Sequence, residues 1–407
     1  MKLLQICKKF PFPVKDGDSI AVTNLGKAYS QLGVEVTLLA MNTSKHPVDV
    51  NALPKNYAQG YKAVHFVKVN NNLSINAAFI NLFETIPYHV TRFINSDYRK
   101  RLIEILASEH FDVIHVESIF LAPYIETIRQ HSKAIVLLRL QNVEHEIWKR
   151  VADLTDFPLK RWYLNFLNKK LRRFEIGSIS QCDILLPITN RDLRIFRLLG
   201  YKGQAIAIPV GLDASKYVID TEAKTQKISI GFIGSLDWIP NQEGLKWFLE
   251  NVWRNYDKNV ELHVAGRNPP DWIKNLRMKN LIFHGEINDA SAFMLQHPIA
   301  LVPLFSGSGI RVKILEAMML GRVVLTTTMG LEGIHATDGE DVLVANTEYD
   351  FQSKIDLCIK NPKLVHQIGR NARKLIENDF DTLKISSEIL KAIEMFKIEE
   401  TKKIKTP

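Results

Sequence analysis

Short runs of β-branched and other apolar residues alternate with amphipathic stretches from one end of the chain to the other, and few folds accommodate that pattern. Strands that are apolar throughout are buried on both faces, which parallel sheets achieve with crossover helices on both sides. In the first half the spacing predicts strands over Leu3–Cys7, Val34–Leu39, Val64–Val69, Val113–Val116, Ala134–Arg139, Ile184–Ile188 and Ala205–Pro209. Helices are expected between them, for example over Ala21–Leu32 and Tyr98–Ser108. The polar, aperiodic run Leu212–Lys227 reads as a linker. Beyond it the pattern restarts with Ile228–Ile233, Val260–Ala265, Leu281–His284, Ala300–Leu304, Val323–Thr327 and Val342–Ala345. The expectation is an α/β chain of two tandem doubly wound Rossmann-like domains facing a cleft, since open sheets of this kind take ligands at their carboxyl strand ends. The boundaries are 1–211 for the first domain, 212–227 for the linker and 228–380 for the second. A last helix over 381–407 has the option of crossing back to the first domain.

Length agrees, because 407 residues with 46% hydrophobic composition are enough for two cores. The net charge of +9 is unevenly placed. Residues 1–200 hold 27 Lys+Arg against 18 Asp+Glu, and residues 201–407 hold 26 against 26. The basic half is therefore the one to ask about anionic partners. Cys7, Cys182 and Cys358 are too far apart for a paired metal motif and read as core residues in a reducing compartment. The apolar start Met1–Cys7 is cut short by Lys8 and Lys9, so no signal peptide is expected, and no apolar run is long enough to span a membrane. A cytoplasmic protein follows, with any membrane contact peripheral and at the inner face of the cell membrane. No recognition helix, zinc module or aromatic sheet accompanies the basic residues, so nucleic acid is not an expected partner.

The stretch richest in chemistry runs Phe305-Ser306-Gly307-Ser308-Gly309-Ile310-Arg311-Val312-Lys313-Ile314-Leu315-Glu316-Ala317-Met318. A strand ends in a small-residue loop, and a helix with an apolar stripe at Ile310, Ile314, Leu315, Met318 and Met319 begins at once. Free N–H groups at such a junction suit an anion. Arg311 and Lys313 in the first turn oppose the helix dipole, and a bound diphosphate removes that conflict. Glu316 follows one turn later, where a carboxylate can accept from paired sugar hydroxyls. The plain alternative is a surface helix in which Lys313 and Glu316 form an i,i+3 ion pair, contributing about 0.3 kcal/mol.

These residues, with Gly321-Arg322-Val323-Val324 and Gly330-Leu331-Glu332-Gly333-Ile334, resemble the retaining glycosyltransferases of family 4, the glycosyl transferases group 1, which have the GT-B fold. Gly234-Ser235-Leu236-Asp237-Trp238-Ile239-Pro240-Asn241, His284-Gly285-Glu286-Ile287, Asn142-Val143-Glu144-His145 and the Phe10-Pro11-Phe12-Pro13 loop before Gly17 extend the likeness over nearly the whole chain. The resemblance implies transfer of a sugar from a nucleoside diphosphate sugar to a hydroxyl of a glycan or lipid-linked acceptor, with retention, without a metal and with no cofactor, as in polysaccharide biosynthesis. It places the donor on the second domain and the acceptor on the first. Arg311, Lys313, Glu316 and His145 are the catalytic residues it implies. The donor would contact Gly17, Gly234, Ser235, Arg267, Ile287, Ser308, Gly309, Ile310 and Glu316, and the acceptor Asn142 and Glu144. Ser308 departs from the pattern, standing where family members commonly carry the first of two Glu residues. Asn241 replaces a common Lys, and Gln141 a common His. A nucleotide-sugar epimerase, a phosphorylase or a non-catalytic nucleotide-sugar binder are the competing readings. Asp16-Gly17-Asp18 reads as a turn and Asp379-Phe380-Asp381 as a helix cap, in preference to metal ligands. His115, His131 and His145 default to structural roles, with His145 the best placed for chemistry.

Between Lys149 and Arg197 lies the densest cationic region, and Leu159, Trp162, Tyr163, Phe166, Leu167, Leu171 and Phe174 recur within it at helical spacing. A basic amphipathic helix is expected, with its aromatic face packed in the first domain's core in preference to lying on an anionic membrane.

Overall fold

The computed structural model describes residues 1–14, 16–217, 228–256, 259–307 and 309–405. The chain forms two compact units, one from Met1–Gly211 with Thr382–Pro407 and one from Leu212–Asp381. Most of the expected linker, 218–227, lies outside the described residues.

The first unit is built on a seven-stranded sheet with β1 (Lys2–Cys7), β2 (Glu35–Thr43), β3 (Ala63–Val69), β4 (Val113–Val116), β5 (Ile135–Leu140), β6 (Ile184–Pro187) and β7 (Gln204–Ala205) in the order β3-β2-β1-β4-β5-β6-β7. Every pairing is parallel. The period of two along β1 divides its apolar residues between the sheet's faces. Leu4 and Ile6 join a core with Tyr98, Leu102 and Tyr124, whereas Leu3 packs with Leu25, Tyr29 and the terminal helix residues Ile385, Ile389 and Ile393. That helix, Thr382–Lys405, thus closes one face of the first sheet with a stripe repeating every four residues. β7 is shorter than the run Ala205–Pro209 predicts. Ile206 and Ile208 still donate to the carbonyls of Leu185 and Pro187, and Pro209 has no N–H with which to continue.

The second unit carries β8 (Ser229–Ile233), β9 (Glu261–Ala265), β10 (Leu281–Gly285), β11 (Ile299–Val302), β12 (Val323–Thr326) and β13 (Leu343–Val344) in the order β10-β9-β8-β11-β12-β13, again parallel throughout. Phe232, Phe248, Trp253 and Phe351 are among the residues that fill its core. In both units β1 or β8 lies beside a reversal of strand order, the position at which carboxyl strand ends leave a crevice. Both are Rossmann-like. Cys7, Cys182 and Cys358 are buried and free.

Candidate functional site

In the second unit β11 runs into the loop that precedes helix Val312–Met319. Gly307 and Gly309 have φ of 110° and 78°, a left-handed backbone that residues with a side chain adopt only under strain. At Gly307 a Cβ would also lie 2.8 Å from Nη2 of Arg311. The helix begins at Val312, later than the apolar pattern through Ile310 predicts, because Arg311 keeps an extended backbone with ψ of 92°. Arg311 is therefore the N-cap residue, and Lys313 is the cation inside the first turn. Ser308 lies outside the described residues.

A chain of hydrogen bonds ties this helix to the turn after β8. Lys313 Nζ donates to Oδ1 of Asn241 at 2.6 Å, and Nδ2 of Asn241 donates to the carbonyl of Ser235 at 2.8 Å. Nε of Arg267 donates to the Ser235 hydroxyl at 3.2 Å, and that hydroxyl donates to Asp237. Gly234 leaves room for the amide, since a Cβ there would meet Asn241 Nδ2 at 2.7 Å. The Arg311 guanidinium stands 5.9 Å from the ring centroid of Trp238. Lys313 is pushed down to about 7 by desolvation, with Arg311 adding to the effect. A cation held near its neutral state is one that an arriving anion would stabilise.

Glu316, one turn on, does not pair with Lys313, so the i,i+3 surface pair is not what this helix makes. Its Oε1 accepts from the hydroxyl of Tyr217 at 3.0 Å, and burial pushes the Glu316 carboxyl above its usual range although Tyr217 opposes this. Arg373 fixes Tyr217 by donating to its carbonyl at 3.0 Å and to that of Met319 at 2.9 Å. The structure thus brings Gly234, Ser235, Arg267, Arg311 and Lys313 together. Gly309 and Ile310 lie in the loop leading into the same helix. Ile287 stands half-buried just past β10, also at a carboxyl strand end. Tyr217 escaped notice in the sequence because it lies in an aperiodic stretch, far in the chain from the carboxylate it meets.

In the first unit Gly17 is the first residue of helix Gly17–Gln31. Asp16 caps it through a reciprocal pair of bonds with Ser19, so the Asp16-Gly17-Asp18 string is a cap and not simply a turn. Asp18 accepts from Nε2 of Gln141, which links this helix to the loop after β5. There Asn142 leads into helix Glu144–Asp153. Burial raises the Glu144 carboxyl above its usual range. Glu175, fully buried on helix Pro158–Ile179, accepts from the N–H groups of Glu144 at 3.1 Å and His145 at 3.4 Å, and stands 2.5 Å from Nδ1 of His145. One ring nitrogen of His145 is committed to that carboxylate, which makes the histidine part of a helix-terminus clamp. Glu175 was legible after the fact, since it occupies the buried helix face of Leu164, Leu167, Leu171 and Ser178, where a carboxylate needs partners. His115 is structural: it lies fully buried 3.2 Å from the Tyr29 hydroxyl and 3.6 Å from Glu117. Arg139 and Gln5 hold the same Glu117 at 3.2 and 2.7 Å.

A small-residue loop, a helix start and two cations thus stand at the carboxyl end of a parallel sheet, the place at which Rossmann-like domains take their ligands. Residues 227–361 match the family model described as glycosyl transferases group 1. Across the whole chain, an uncharacterized 44.6 kDa protein in the cps region of Klebsiella pneumoniae is 22% identical over 413 residues, covering 96% of this chain and 99% of that protein. Sucrose-phosphate synthase from Thermosynechococcus elongatus superposes with a TM-score of 0.71 at 14% identity, over 98% of this chain and 100% of that one. HepE from Anabaena in complex with UDP-glucose gives 0.66 at 13% identity, over 97% and 100%. The fold is that of the GT-B structures, and the segment that matches the group 1 model lies within the second unit.

Proposed function

We propose that the protein transfers a sugar from a nucleoside diphosphate sugar to a hydroxyl of a glycan or lipid-linked acceptor, with retention of anomeric configuration and with neither metal nor cofactor. The donor sits on the second unit and the acceptor on the first. The observation that carries the reading is the Lys313–Asn241–Ser235 chain beside Arg311, inside the segment that matches the group 1 glycosyltransferase model. Cleaving the anomeric bond leaves negative charge on the diphosphate, and Arg311, Lys313 and the first-turn N–H groups are fixed where that charge develops. Gly234 and Ser235 line the phosphates, Glu316 holds the ribose hydroxyls and Ile287 the base. The acceptor oxygen attacks as the anomeric bond breaks, and its proton passes to the departing diphosphate. His145, held by Glu175, is in this reading a positioning residue for the loop carrying Asn142 and Glu144. The whole-length relative from the cps region of Klebsiella pneumoniae favours a role in polysaccharide assembly. A thermal-shift screen against UDP-, GDP-, ADP- and dTDP-sugars tests the donor. Stabilisation of about 2.7 kcal/mol is expected at 100 times the dissociation constant, absent in an Arg311→Ala, Lys313→Ala double variant. Equal stabilisation of that variant would overturn the site.

A further inference from the structure

The first unit exposes a cluster of large apolar side chains that no part of the sugar-transfer reading uses. The segment after β3 forms helix Ile75–Ile80 and the turn Asn81–Phe83, where Phe79, Ile80 and Phe83 are 63%, 60% and 83% exposed. Phe79 and Phe83 pair edge to face at 6.2 Å. Helix Pro158–Ile179 runs beside this segment: the Tyr163 hydroxyl donates to the Ala78 carbonyl at 3.4 Å, and Lys170 donates to the Asn81 carbonyl at 2.5 Å. At this helix's first turn Leu159 and Trp162 are 66% and 58% exposed, and Trp162 stacks with Phe166 at 6.1 Å.

The expectation that this helix's aromatic face is core is therefore only half met. Leu164, Leu167 and Leu171 are buried, but Leu159, Trp162, Phe166, Lys169, Lys170 and Arg173 follow a different stripe at three- and four-residue steps, along the outer side. The helix contains six cations, Lys160, Arg161, Lys169, Lys170, Arg172 and Arg173, and one carboxylate, Glu175. Glu175 is turned into the core against His145, so all the charge the helix presents outward is positive. With the aromatics at the helix's start and the cations farther along the same stripe, the start can enter the acyl boundary while the ammonium and guanidinium groups beyond it meet the phosphates. A protein partner would need acidic residues to meet the cations and a matched apolar socket; an anionic bilayer supplies both without shape complementarity. No described helix is long and apolar enough to cross a membrane, so such contact would be interfacial.

We infer that this face docks the protein on an anionic lipid surface, with Phe79, Phe83 and Trp162 inserted and Lys169 and Arg173 against the headgroups. The docking does not depend on the donor site. The test is co-sedimentation of the full chain with phosphatidylcholine vesicles made with and without phosphatidylglycerol. Binding is expected to the anionic vesicles and to fall with added salt. A Phe83→Ser, Trp162→Ser variant and a Lys169→Glu, Arg173→Glu variant should each lose about tenfold in affinity. Both change exposed side chains, and unchanged circular dichroism and thermal midpoint check that they fold. Failure of the unaltered chain to bind, or equal binding by both variants, would overturn the inference. So would a dimer that the Phe83→Ser, Trp162→Ser variant converts to monomer, which would give the face to a second copy.

Discussion

Asn241 accepts a hydrogen bond from the ammonium of Lys313 at 2.6 Å and passes its own amide hydrogen to the Ser235 carbonyl, so two strand ends of the second unit share one side chain. The amide neutralises none of the charge it touches. Desolvation, with Arg311 adding to it, leaves Lys313 close to deprotonation.

A pH signature in donor binding follows. An anion favours the ammonium form, and desolvation pushes Lys313 down to about 7 while no anion is bound. Affinity for a nucleoside diphosphate sugar, whose diphosphate does not titrate in this range, should be flat below pH 7 and weaken as the pH rises above it, with proton uptake on binding. Calorimetric titrations in buffers of different ionisation enthalpy would read that uptake. Lys313→Met should abolish it and lower turnover about 10²–10³-fold.

Tyr217 and Glu316 separate stability from donor affinity. Tyr217→Phe strips the buried carboxylate of its hydroxyl partner and should cost about 1–3 kcal/mol in urea denaturation. Glu316→Gln should leave stability closer to the parent but raise the donor KM, as a ribose ligand must. An unchanged KM for Glu316→Gln would remove the carboxylate from the site.

The Glu175 clamp predicts an asymmetry between its partners. Removing the carboxylate in Glu175→Ala deprives two N–H groups and one ring nitrogen of an acceptor, at about 2–3 kcal/mol. His145→Asn leaves the backbone bonds in place and should cost about half as much. Equal losses in chemical denaturation would show that the backbone bonds contribute nothing.

Acid should weaken the second unit before carboxylates titrate. His297 is buried, with Ser229 Oγ 3.0 Å from its Nδ1, and burial followed by the nearby His263 and His284 pushes its pKa down to about 4. A histidine whose folded pKa is depressed binds its proton in the unfolded chain first. The loss of stability therefore begins near pH 6.5 and continues to pH 4, up to about 3 kcal/mol. His89 in the first unit, also pushed down to about 4 by burial and Arg92, should act in the same direction. A His297→Asn variant should flatten the profile of urea midpoint against pH.

Both sheets were legible in the sequence because a parallel strand buried on two faces is a continuous apolar run, and such runs need no partner to be recognised. The loop and helix carrying Arg311, Lys313 and Glu316 were legible for the same local reason, since glycines followed at once by an apolar stripe mark a strand-to-helix turn. What local pattern does not contain is the identity of a partner distant in the chain. Asn241 beneath Lys313, Tyr217 against Glu316 and Glu175 clamping His145 are each separated by tens of residues and meet only when the sheet sets the register. The same holds for helix Pro158–Ile179, whose period shows two apolar stripes, while the packing of the first unit decides that one is core and the other surface. Periodicity is a property of one element. Burial and hydrogen-bond partnership belong to several at once, and tertiary structure alone assigns them.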